Sequence, residues 1–450
     1  MRTIVLLLML TLNARTEQAT APSVSFETPL IAPFELPAQY LLKGARVHTV
    51  SGEVIEKGEV LVVDGIIRSV GKRVDVILRK EIDLTGMYLY PALISASSPL
   101  GLIEISAVRA TRDTTEVGTY TPNVKSWLAI NPDSELIPVA RAGGVAYSLA
   151  IPAGGVVSGQ SGLIRLSGWG MEEMAFAKPV ALHVNWPSMG LRLTPKHLLK
   201  DPGKWKSPAD QDKARRQRIA ELSRFFDDAR AYQLAKANWE DHAPFIQVPA
   251  WESMAPYLKS EKPIFVQADD LRQIKAAMAW AQTNRVRIVI CGGRDAWMLA
   301  DQLAERDVPV VYEHVLERPY RDTLPYDQAY SGPAILVEKG VDTAISLGRG
   351  RFAASMARNL SHAAAHAQRH GLSEPEALKA ITLAPARILG VADRIGSIAE
   401  GKIASMIATD RPLLDVRAKV MRMWIAGVEV SLESRQTRLY RRYQRRPKTN

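Results

Sequence analysis

The sequence predicts an α/β protein, a (β/α)8 barrel of TIM type joined to a small β-sandwich domain built from both ends of the chain. Three observations carry this expectation. Short apolar strands recur from about Tyr90 onward, with helical periodicity between many of them. The steps from Ile264 to Val286 and from Val286 to Val308 are 22 residues each, the length of one strand–helix unit. Strand-like segments then return near the C-terminus, at Ala404 to Ala408 and Arg422 to Ile425. Repeated right-handed crossovers produce a parallel sheet, and seven or eight of them favour closure into a barrel.

Composition sets the outer bounds. The chain has 450 residues, 47% hydrophobic and 23% charged, with 29 Gly, 27 Pro and one Cys. That excludes a disordered chain, collagen, a coiled coil and a disulfide scaffold. The formal net charge is +11, of which the last twenty residues supply +6 (seven Lys/Arg and one Glu) and the remainder +5. A tail of this kind attracts acidic partners or anionic lipid, although such tails are more commonly solvated extensions. The chain as a whole does not have the composition of a nucleic-acid binder.

The elements follow in order. Arg2, the nine-residue apolar run Ile4 to Leu12 and Ala19-Thr20-Ala21 read as a signal peptide over residues 1–21, and hence as export to the periplasm or medium. Nine apolar residues are too few to span a bilayer, which takes about twenty, and no other stretch reaches that length. Residues 22–88 form the N-terminal part of the β-sandwich, in which Asp64-Gly65 between two apolar runs marks a hairpin. The barrel is expected over residues 89–395. Its strands are read at Leu89 to Ala96, Val145 to Ile151, Val180 to Val184, Ile264 to Ala268, Val286 to Cys291, Val308 to Tyr312 and Thr343 to Leu347. Helical segments follow at Ser361 to His370 and Glu374 to Leu389, the second ending at Gly390. Residues 396–432 complete the sandwich, and residues 433–450 form a basic tail.

Four blocks resemble the amidohydrolase superfamily, in the right order over nearly all of the mature chain. LLKGARVHTVSGEVIEKGEVLVVDGIIRSVG is similar to its N-terminal sandwich half, and LTGMYLYPALISASSPLGLIE to its first barrel strand. NPDSELIPVARAGGVAYSLAIPAGGVVSGQSGLIRL resembles the imidazolonepropionase-like branch. ALKAITLAPARILGVADRIGSIAEGKIASMIATD, followed by VMRMWIAGVEV, resembles the closing helix and the second sandwich half. The resemblance implies a hydrolase of carbon–nitrogen, non-peptide bonds that uses zinc or another divalent metal to activate water.

The residues at the expected ligand positions depart from that pattern. The first-strand His-X-His falls on Ser97-Ser98-Pro99, the fifth-strand His on Gln267, the sixth-strand His on Gly292 and the last-strand Asp on Gly348. Proline and glycine offer no side-chain donor, Ser and Gln bind zinc feebly, and no His lies within ten residues of Ser97, Gln267, Gly292 or Gly348. The expectation is therefore no metal cofactor and impaired catalysis, a pseudoenzyme. The alternative is a metal-free binding protein, or a non-catalytic subunit paired with an active paralogue. A small-molecule ligand in the barrel mouth is the expected partner, with homo-oligomers or hetero-oligomers allowed and no nucleic acid.

Other residues supply candidates. His183 ends one barrel strand and His314 follows another, so with Asp270 they are the catalytic candidates; Gln267, Arg294 and Arg349 are the substrate-binding ones. Asp269, Asp295 and Glu313 lie at similar strand ends, where carboxylates also serve as caps and ion-pair partners. His362, His366 and His370 repeat every four residues and resemble a metal comb, for which a polar helix face is the simpler reading. The Gly154 to Gly162 stretch lacks the Lys-Ser/Thr of a phosphate loop and reads as tight turns near the mouth. Cys291 has no nearby His and is a poor nucleophile candidate.

Overall fold

The computed structural model describes residues 39–76, 80–239, 244–350 and 352–446. The signal-peptide segment and His242 lie outside them. Two eight-stranded sheets organise these residues.

The first sheet is mixed and draws on both ends of the chain. Its strands are β1 (Gln39–His48), β2 (Val54–Val63), β3 (Ile66–Gly71), β4 (Glu81–Asp83) and β5 (Tyr88–Pro91), joined later by β14 (Met406–Thr409), β15 (Val420–Ile425) and β16 (Val428–Glu429). The order is β16-β15-β14-β5-β1-β2-β3, with β4 also on β1. The Asp64-Gly65 hairpin forms as read: Val63 pairs with Ile66, and both turn residues have positive φ (50° and 77°). A second turn of the same kind, Ala426-Gly427 (52° and 80°), joins β15 to β16 and packs directly on the first. A Cβ on Gly65 would lie 2.6 Å from the Ala426 carbonyl oxygen, and one on Gly427 would run into the Gly65 backbone. Tyr40, fully buried, donates its hydroxyl to the Gly427 carbonyl at 2.8 Å. Gly427→Val should therefore lower the stability by about 3 kcal/mol, from the left-handed backbone and from overpacking. Urea unfolding checks this, and a midpoint equal to wild type would contradict it.

The second sheet is the barrel. Its strands are β6 (Leu93–Ser98), β7 (Val145–Ala150), β8 (Val157–Arg165), β9 (Ala175–Asn185), β10 (Ile264–Ala268), β11 (Ile288–Gly292), β12 (Val310–Tyr312) and β13 (Thr343–Ile345). They are neighbours in that order, parallel except for β8, which is antiparallel to both β7 and β9. The strand expected from Leu89 is divided: Tyr88–Pro91 pairs in the first sheet, and the chain crosses to the barrel at Ala92. The Gly-rich stretch is strand β8 for most of its length rather than a series of turns, and Val157 to Ile164 are all buried. Its glycines admit neighbours: a Cβ on Gly159 would sit 2.7 Å from the Val124 carbonyl oxygen, and one on Gly162 would sit 2.9 Å from Trp127 Cβ.

Strands β13 and β6 do not pair directly. Instead the Ile345 amide donates to the Ala380 carbonyl at 2.8 Å, and the Ile94 amide to that of Ile381 at 2.9 Å. This inserted turn explains why the helix expected over Glu374 to Leu389 is two, Glu374–Lys379 and Leu383–Ile388. Pro385 has no amide to return to Ile381, so the Ile381 carbonyl is free to accept from the barrel edge. Between β9 and β10 lies a 30-residue helix, Pro208–Ala237, capped by Ser207 and burying only Leu222, Phe226 and Ala229.

Candidate functional site

The C-terminal ends of the barrel strands gather a layer of polar side chains. Side chains alternate across a strand, and paired residues share a face, so Gln267 and its register partner Cys291 point the same way. Glu313, one residue past β12, is the centre of this layer and is buried. Its Oε1 accepts a hydrogen bond from the Ser97 hydroxyl, and its Oε2 accepts from Gln267 Nε2 at 3.2 Å. The Ser346 hydroxyl donates to the Ser97 carbonyl (2.7 Å) and accepts from the Ser97 amide (3.1 Å), so two serines stitch the barrel seam beside the carboxylate.

Two glycines make room for this layer. A Cβ on Gly348 (φ 71°) would lie 2.9 Å from Glu313 Oε2. A Cβ on Gly292 (φ 88°) would collide with Asp269 Oδ1 and come within 2.7 Å of Gln267 Nε2. Pro99, just beyond β6, is buried, and its carbonyl accepts from the Leu102 amide in a turn.

Burial dominates the electrostatics of the inner layer. It raises the Glu313 carboxyl above the usual range, against the Arg349 charge and the Ser97 hydrogen bond, which lower it. It also holds His183 well below its ordinary value, helped by the Arg349 charge, so this imidazole is neutral at neutral pH. His183 lies edge-on to Phe265 (centroids 5.5 Å apart), and its Nε2 has no hydrogen-bond partner among the described residues. The Cys291 thiol is pushed well up by burial and by Glu313, which removes it as a nucleophile.

Nearer the solvent, His314 sits between two carboxylates, with Nε2 2.7 Å from Asp269 Oδ1 and Nδ1 2.6 Å from Glu317 Oε2. Burial lowers the ring's pKa, but the two hydrogen bonds and charges outweigh it and raise it to about 9. The ring is therefore an imidazolium donating from both nitrogens. The structure does not join it to His183, which lies against Phe265 with its Nε2 unbonded among the described residues. Asp270 accepts from the Arg272 and Gln273 amides and caps helix Leu271–Asn284 in a capping box, the structural use of a strand-end carboxylate. Arg294 lies 3.8 Å over the Tyr320 ring centroid, and its buried Nε has no partner among the described residues. Arg349 donates to Asn185 Oδ1 at 2.9 Å. Asp295, fully buried, binds Arg321 through both carboxylate oxygens. Of the comb, His366 stacks on Tyr330 (5.2 Å between centroids) and His370 lies tilted against the same ring (4.7 Å), an aromatic cluster.

The His314 pair makes stability pH-dependent. Its folded-state pKa exceeds the unfolded value, so its contribution is complete below 6.5 and disappears as pH rises through about 9. Asp269 and Glu317 are held below their ordinary values by the same contacts, so acid removes the contribution as well. A loss on the order of 3 kcal/mol is expected on the alkaline side. Urea unfolding of wild type and His314→Asn at both ends of that window checks it, and a wild-type advantage that does not shrink would contradict it.

Comparison with known proteins places this geometry. Residues 327–431 match the family model described as Amidohydrolase family. The crystal structure of an amidohydrolase from Thermotoga maritima MSB8 matches with a TM-score of 0.76 at 27% identity, covering 87% of this chain and 99% of that one. The chain has the amidohydrolase-superfamily fold. Two further structures match more distantly and speak to the fold alone. A prolidase complexed with n-methylphosphonate-L-proline gives 16% identity and a TM-score of 0.51, covering 87% of this chain and 99% of that one. Phenylurea hydrolase B gives 13% and 0.52, covering 88% and 97%. No curated protein matches this amidohydrolase-fold sequence. Sequence reasoning named the strand-end residues of the site, but not Asn185, Ser346 or Glu317 as their partners. The Glu313-His314 pair after a strand was the available signal.

Proposed function

We propose that this chain, an amidohydrolase-family hydrolase by homology, holds a small polar molecule in its barrel mouth without the metal-activated water of its relatives. The observation that carries the reading is the seat of Glu313. Its carboxylate lies among Ser97, Gln267 and Gly348, three of the positions at which the family resemblance puts metal ligands. Asp269 occupies the room that a side chain on Gly292 would need.

The family implies a divalent metal, and the donor set does not fit one. Both His314 nitrogens are engaged by carboxylates, and the ring's raised pKa keeps it protonated, whereas a ligand needs a free lone pair. Ser97 and Gln267 both donate to Glu313. Among the described residues no group of three or more His, Cys, Asp or Glu is arranged to hold a metal ion.

A second reading is favoured by Glu313 itself. A buried carboxyl with a raised pKa is suited to proton transfer, and general acid–base catalysis contributes roughly 10²–10⁴-fold. That is small beside usual enzymatic accelerations, so any turnover on this route is slow. The test is metal analysis of the purified protein, together with turnover of N-acyl amino acids, dipeptides and cyclic amides with and without added zinc or manganese. Substoichiometric metal and no chelator-sensitive turnover are expected. Two zinc equivalents per chain, or chelator-sensitive turnover above about 1 s⁻¹, would overturn the reading.

A further inference from the structure

The basic tail folds into a helix, Arg435–Gln444, begun by a capping box between Ser434 and Thr437. Arg435, Arg438 and Arg442 recur at the spacing of one helix face, with Arg441 beside them and Arg445 and Arg446 immediately after the last turn. Leu439, Tyr440 and Tyr443 occupy the adjoining arc, and the two tyrosines are 65% and 64% exposed. Acidic neighbours neutralise little of this charge. Arg438 reaches Glu135 at 3.7 Å and Arg441 reaches Glu433 at 3.4 Å. Arg435, Arg442, Arg445 and Arg446 have no acidic partner among the described residues. Gln436 and Thr437, at the start of the helix, line one cavity with Arg358 and Lys419, which are exposed and likewise lack an acidic partner among the described residues. Two further unpaired cations on the body of the protein thus share a cavity with the start of the helix.

We infer that this helix is an anchor for an anionic phospholipid surface. Each arginine near such a surface adds attraction through its charge, and tyrosines prefer the headgroup boundary, where the ring is half buried and the hydroxyl stays wet. An arginine arc beside a tyrosine and leucine arc is the arrangement of a helix lying in the interface plane. At ten residues this helix is too short to cross a bilayer, so the attachment that it makes is peripheral.

The experiment is co-sedimentation of the full chain with vesicles. Retention is expected on phosphatidylglycerol–phosphatidylcholine vesicles and not on phosphatidylcholine alone, and it should weaken as salt is added. Replacing three unpaired arginines (Arg435→Gln, Arg442→Gln and Arg445→Gln together) should lower the partition coefficient roughly a hundredfold, about fivefold for each charge. Tyr440→Ala with Tyr443→Ala should lower it at unchanged charge. All of these substitutions are exposed, so thermal midpoints should match wild type and the comparison is between folded proteins. Equal retention on neutral vesicles, unchanged binding by the arginine variant, or displacement from the vesicles by duplex DNA would overturn the inference.

Discussion

A chain ending at Gly390 is expected to give no cooperatively folded protein. The residues after Gly390 supply β14, β15 and β16, and β14 pairs directly with β5 from the other end of the chain. Truncation exposes the β5 edge and removes large apolar side chains from both cores. Ile395, Ile398, Met406, Ile407, Met423, Trp424 and Ile425 are all essentially buried. At roughly 2 kcal/mol for each side chain, their loss removes about 14 kcal/mol, which is the whole stability of an ordinary domain. The barrel suffers as well, because Ile395, Ile407, Met423 and Ile425 belong to its continuous core. Circular dichroism with urea unfolding checks this, and a soluble truncated chain with a sharp transition would contradict it.

Local signals made much of this architecture legible. Asp64-Gly65 specified its hairpin because a type I′ turn needs positive φ at both central residues, and few sequences tolerate that. The 22-residue steps specified β10, β11 and β12, since each strand there is followed by a crossover back to the next. Three features were hidden, each for a physical reason. Strand β8 is rich in glycine and serine and lacks the β-branched run that usually marks a strand; its glycines answer to neighbours distant in sequence, such as Val124 and Trp127. The break at Ala380 to Thr382 depends on two barrel edges that accept the inserted turn. The helix Pro208–Ala237 buries only three side chains and so shows no apolar stripe.

The site was legible as a set of positions and not as a set of bonds. Strand-end placement identified His183, Gln267, Arg294, His314 and Glu313, because parallel strands deliver their C-terminal residues to one face. It did not indicate which residues would pair. Glu313 reaches Ser97 across 216 residues of sequence, and His314 reaches Asp269 across 45. Asp270, adjacent to Asp269 and chemically identical, turns instead to the helix that follows it. One residue of register separates the carboxylate that holds His314 from the carboxylate that caps a helix.

Rebuilding ligands at the two glycines should fail, and its failure measures how firmly the present layer is set. In the double variant Gly292→His, Gly348→Asp, each new side chain starts from a left-handed backbone and meets a carboxylate already in place. Left-handed strain and overpacking together cost about 3 kcal/mol at each site, so a loss of about 6 kcal/mol is expected, with no gain in zinc affinity. Removing the occupants should reverse part of the loss. Adding Asp269→Ala and Glu313→Ala opens the space and removes the repulsion between Glu313 and the new Asp, so the quadruple variant should be more stable than the sum of its two halves. A double-mutant cycle by urea unfolding, treating each pair as one change, gives that coupling. A double variant that is as stable as wild type and binds zinc would show that Glu313 and Asp269 yield their places readily, and the metal-free reading would fall with that result.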